Sequence, residues 1–94
     1  MQREEFFEWD DAKARANWKK HGVTFEEACA IWDDPYFYQS RISGGTEDRY
    51  LVIGKVSSRV YLSAIVTFRG REGESIRLIS ARKLSKREIG LYYG

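Results

Sequence analysis

The stretch "IRLISARK" (76–83) places two guanidinium groups, Arg77 and Arg82, at either end of a short apolar run. A guanidinium stays charged and presents a planar fork of donors matched to phosphate oxygens. Two more stand where other apolar runs begin or end: Arg49 opens "RYLVIGKV" (49–56) and Arg69 closes "RVYLSAIVTFR" (59–69). A single exposed arginine usually faces solvent or pairs with a carboxylate, and such pairs contribute little. Several on one face repel one another unless an anion lies between them. The chemistry they suit is electrostatic, the stabilisation of charge on a phosphate. They are poor at proton transfer because they remain protonated.

Neighbouring groups extend the pattern. Ser80 can orient a phosphate or simply satisfy its strand. Tyr50, Tyr61, Tyr92 and Tyr93 can stack on unpaired bases, although aromatic residues in strands mostly pack a half-buried sheet surface. Alternation poses a difficulty, because Arg77 and Arg82 differ by five positions and so fall on opposite faces of a regular strand. They can still converge if the strand ends at Ala81 and the chain turns there. Lys55, Lys83, Glu88, Tyr92 and His21 are the candidates for acid–base work, and none has an ideal pKa unperturbed. His21, after "WKK", also reads as a helix-end cation.

Other chemistries find no support. There is no glycine-rich nucleotide loop and no Ser/His/Asp pattern. One cysteine, Cys29, and one histidine cannot build a zinc cluster. The expectation is a domain with no cofactor and no metal. No apolar run approaches the roughly 18 residues that span a bilayer, and "MQREEFFEWD" lacks an apolar signal core. A reduced, cytoplasmic protein is therefore expected, with no membrane association.

The elements that must position these groups emerge from local grammar. Ninety-four residues, 43% hydrophobic and 15% aromatic, fit one domain over 1–94 with a single modest core. Residues 1–50 carry seven Lys+Arg against eleven Asp+Glu, and residues 51–94 carry nine against three. The basic back half suggests an anionic partner. Asp10 as N-cap, cations at Lys19 and Lys20, and Gly22 beyond predict a helix over about 11–20. Thr24 and Glu27 have capping-box spacing, and Pro35 forbids continuation of the helix they open, so a second helix is predicted over about 25–32.

The period then changes to two. Strands are predicted at 36–42, 49–56, 59–69 and 75–81, with turns at 43–48, Ser57–Ser58 and 70–74. Along 59–69, Val60, Leu62, Ala64, Val66 and Phe68 face the core, and Tyr61, Ser63, Ile65, Thr67 and Arg69 the other side. Ser85 and Glu88 cap a C-terminal helix that Gly90 should shorten or fray. The expected fold is α+β: two N-terminal helices, a four-stranded antiparallel sheet and a C-terminal helix, with the helices on one face.

"FEWDDAKARANWKKHGVTFEEA" (7–28) and "IRLISARKLSKREIGLYY" (76–93) resemble the two signatures of BrnT-type toxins, ribonuclease components of bacterial type II toxin–antitoxin systems. The resemblance implies a RelE-like fold and metal-independent RNA cleavage by the substrate's own 2′-hydroxyl. It also implies a cognate antitoxin with a ribbon-helix-helix DNA-binding domain, through which alone operator DNA would be reached. Position by position, it carries over to Arg49, Arg69, Arg77, Ser80 and Arg82, and more loosely to Glu88 and Tyr92. Family members often have an acidic residue before the arginine of the long strand, where this chain has Phe68. The competing readings are a nucleic-acid-binding module without catalysis and a protein-interaction domain.

Overall fold

The computed structural model describes residues 6–43 and 47–94, Ser43 by its backbone alone. The turn expected at 43–48 falls largely outside the described residues. Element order is β1 (Phe7–Glu8), α1 (Asp11–His21), α2 (Phe25–Ala28) running into a 3₁₀ turn (Cys29–Asp33), β2 (Tyr38–Ser43), β3 (Arg49–Ser57), β4 (Val60–Arg69), β5 (Ser75–Lys83) and α3 (Lys86–Tyr93).

The caps form as their spacing predicts. Asp10 accepts from the Lys13 amide, and Gly22 closes α1 at φ 67°, a left-handed conformation that costs glycine little. Thr24 and Glu27 make a reciprocal capping box, as do Ser85 and Glu88. The second box opens α3, which runs through Gly90 and is short, at eight residues, as Gly90 led one to expect.

The sheet corrects the prediction in three respects. Among the described residues it has five strands in the order β1-β5-β4-β3-β2, and it is mixed, because β1 lies parallel to β5. Two residues are too few to show a period, so β1 left no mark on the sequence. The β3–β4 turn falls at Ser58–Arg59, one residue later than predicted, just after a register shift between Lys55 and Ser57. The helices do not share one face. Val23, Phe25, Ala28, Cys29 and Ile31 pack on Val52, Leu62, Ala64, Val66, Leu78 and Ala81 to form the main core. Ile31 seats so close to β3 that a Cβ on Gly54 would lie 2.8 Å from its Cγ2. Helix α3 instead folds back over the opposite face, above Ser63 and the fully buried Ile53.

A buried polar side chain ties α1 to β5. The Asn17 carboxamide donates to Ala81 O at 2.8 Å and to Val23 O at 3.0 Å, and accepts from Ala81 N at 3.0 Å. It occupies the free edge of β5 beyond β1 as a further strand would, satisfying both backbone groups of Ala81.

A candidate anion-binding sheet face

A β-bulge decides the geometry of the site. In the β4–β5 ladder Thr67 pairs with Arg77 and Val66 with Leu78, but Ile65 pairs with Ser80, so Ile79 is the extra residue. The slip reverses the phase of alternation. Arg77, Ser80 and Arg82 consequently share a face with Thr67, Ile65 and Ser63, while Ile76, Leu78 and Ala81 all reach the core. The expected convergence by a turn at Ala81 is thus corrected: the strand continues to Lys83, and the bulge brings the arginines together. Arg77 and Arg82 flank Ser80, about 7 Å along the strand to each side.

The same face continues across the sheet. Arg69 stands one step beyond Thr67, opposite Ser75. Arg49, next to Tyr50 in the β3–β4 ladder, falls level with Thr67, so that Arg49, Thr67 and Arg77 form one row. All four predicted arginines and Ser80 therefore lie on one side of the sheet. Phe68 lies on the other, with its ring 5.0 Å from that of Tyr50.

Three of the arginines are held by carboxylates. Arg82 Nη1 and Nη2 donate to Glu88 at 2.8 and 2.6 Å, Arg77 donates to Glu8 at 3.0 Å, and Arg69 lies 3.7 Å from Glu47. Glu8 also accepts from Ser75 Oγ. Glu88 is buried, with 10% of its side chain accessible, whereas the other pairs lie open to water and contribute correspondingly little. A guanidinium has five N–H donors. Arg77 keeps most of its donors free of Glu8. Glu8 escaped the sequence reading because its relation to Arg77 spans 69 residues.

Tyr92 belongs to a separate latch at the far end of the face. Its hydroxyl donates to Asp34 at 2.6 Å, and Asp34 also accepts from the Lys55 and Tyr36 amides. That hydrogen bond, with burial, pushes the Tyr92 phenol up to about 12. The Tyr61 and Tyr93 hydroxyls bond to each other beside it, and the bond raises Tyr61 as well. Burial raises the Asp34 carboxyl, but Tyr92 and the two amides outweigh it and the net shift is downward. Glu88 behaves likewise: burial raises it, and Arg82 with the Ser85 amide brings it below its ordinary value.

These shifts predict how stability varies with pH. For Asp34 and Glu88 the folded value lies below the unfolded one, so their contribution is complete above the ordinary carboxylate range. It is lost as pH falls through the depressed folded values. Tyr92 has the opposite sign, full below pH 10 and lost between 10 and about 12. Urea midpoints should be flat near neutrality and fall at both ends, and Tyr92→Phe should remove most of the alkaline fall. An unchanged alkaline limb in that variant would refute the Asp34–Tyr92 latch.

A five-stranded mixed sheet with helices on both faces, and arginines along one of them, places the chain among small α+β domains with a cationic sheet face. A family model described as ribonuclease toxin, BrnT, of type II toxin–antitoxin system matches residues 9–88, and the chain belongs to that family. The crystal structure of the Brucella abortus ribonuclease toxin, BrnT, is similar in fold, with a TM-score of 0.60 at 22% identity over 83% of this chain and 94% of that one. No individually curated protein matches the sequence. No helix among the described residues is long and apolar enough to cross a membrane.

Proposed function

We propose that this toxin is an endoribonuclease whose substrate phosphodiester lies on the β5 face over Ser80, between Arg77 and Arg82. The substrate's 2′-hydroxyl gives up its proton and attacks the adjacent phosphorus, the 5′-oxygen leaves and takes up a proton to become a 5′-hydroxyl, and a 2′,3′-cyclic phosphate remains. The guanidinium groups of Arg49, Arg69, Arg77 and Arg82 stabilise the charge that gathers on the phosphate oxygens, the role a metal ion plays in other nucleases. The reaction is accordingly metal-independent. Ser80 orients the phosphate. Tyr92 positions α3, and through Glu88 the guanidinium of Arg82; a phenol at about 12 is poorly placed to exchange a proton near neutrality.

The observation that carries this reading is the bulge at Ile79, which aligns Arg77, Ser80 and Arg82. Family membership supports RNA as the anion and a neutralising antitoxin as the partner. The antitoxin is proposed to carry a ribbon-helix-helix domain, which would be the toxin's sole route to operator DNA, and the pair to act in the cytoplasm.

One observation favours a second reading. Glu88 is depressed and Tyr92 raised, so two of the acid–base candidates on this face do not titrate near neutrality. A face that binds RNA without cutting it would look the same. Incubating the purified chain with RNA in chelator separates the two. Cleavage predicts new 5′-hydroxyl and cyclic-phosphate ends, and binding alone predicts retarded but intact RNA.

A further inference from the structure

Where α1 crosses the free edge of β5, a cavity of about 210 Å³ opens, lined by Lys13, Asn17, Lys20, His21, Ile79 and Ser80. Ser80 belongs also to the arginine face, so the cavity adjoins that face across the bulge. Lys13, Lys20 and His21 recur at helical spacing on the side of α1 that Asn17 fastens to Ala81. Among the described residues none of the three takes part in an ion pair. That separates them from Arg69, Arg77 and Arg82, whose charge is already met by carboxylates.

Lys20 and His21 also complement the negative C-terminal end of α1, and their charge needs no ligand to explain it. Lys13 lies at the other end of the helix, where its charge acts on the Asp10 carboxylate. It stands in the first turn, where the helix dipole disfavours a cation. Lys13 and Arg77 both act on the same carboxyl, that of Asp10. The Asp10 carboxyl is held low chiefly by the Lys13 amide, and the charges of both Lys13 and Arg77 lower it further.

We infer that this cavity is a second phosphate subsite, in which Lys13 and Lys20 hold the backbone phosphate of RNA next to the one over Ser80. The inference rests on RNA being the anion of the arginine face, and extends it from one phosphate to a path that leaves the sheet over α1. Lysines suit such a place because they act as mobile point charges and tolerate a backbone that varies in course. His21 and Ser80 border the path and can donate to the same oxygens.

The test is the salt dependence of binding to a single-stranded 2′-O-methyl RNA, which cannot be cut by 2′-hydroxyl attack. Each phosphate contact contributes about 0.7 to the slope of log affinity against log salt for single strands. Lys13→Gln with Lys20→Gln should lower the slope by about 1.4. Arg15→Gln with Lys19→Gln removes the same charge from the far side of α1, where both residues line a different groove, and should leave the slope unchanged. An unaltered slope in the Lys13/Lys20 variant, or an equal fall in the far-side variant, overturns the subsite and leaves the arginine face standing. Failure of the wild-type chain to bind the oligonucleotide removes both.

Discussion

Arg77→Ala should reduce RNA cleavage by about 10²–10³-fold, the usual loss when one preorganised donor is taken from a developing anion. The fold should hardly register the change. Arg77 is tied to Glu8 by a single bond at 3.0 Å, and about a third of its side chain is open to water, so the lost pair is worth at most about 1 kcal/mol. Arg82→Ala is a less clean experiment, because it strips a buried Glu88 of its bidentate partner and threatens α3 as well as the reaction. Glu8→Gln isolates the remaining variable. It releases Arg77 while keeping a hydrogen-bond acceptor, and cleavage should persist. Single-turnover rates with thermal melts on all three variants are the measurement. Full cleavage by a folded Arg77→Ala protein would remove the phosphate from this face.

Asn17→Ala should damage the fold more than any of the arginine changes, at about 3–4 kcal/mol. Ala81 would be left with a buried N–H and a buried C=O unpaired, at about 1–3 kcal/mol for each group, and Val23 O would lose its donor as well. A domain of this kind has about 5–15 kcal/mol in hand. Asn17→Asp should fare no better, since a carboxylate can accept from Ala81 N but repels two carbonyl oxygens. Urea midpoints give the loss, and amide exchange at Ala81 localises it. A destabilisation below about 1 kcal/mol would mean that water replaces the carboxamide at the strand edge.

Both predictions concern features that the sequence showed unevenly. The four arginines and Ser80 were legible as residue types, since guanidinium chemistry is intrinsic to the side chain. Their shared face was not, because Arg77 and Arg82 have the wrong parity. A signal was present all the same: the adjacent apolar pair Leu78–Ile79 interrupts alternation, and polar residues at 77, 80 and 82 fit one face only if a residue is inserted. Asn17 gave no comparable sign. A polar residue on a charged helix looks solvated until the strand it serves, 64 residues away, is in place.

The sequence by itself determined the helix starts, the end of α1 at Gly22, the turn glycines, the β4 alternation and the kinds of charge available, but not the change from α-helix to 3₁₀ turn after Ala28. Each depends on contacts between residues three or four apart, or on side-chain identity alone, and neither needs a partner. Only the tertiary structure decided that β1 joins the sheet in parallel, that α3 covers the face opposite α1 and α2, and that the bulge falls at Ile79. Those choices pair groups distant in the chain, and they are settled by which arrangement leaves the fewest buried backbone groups unpaired while closing the core.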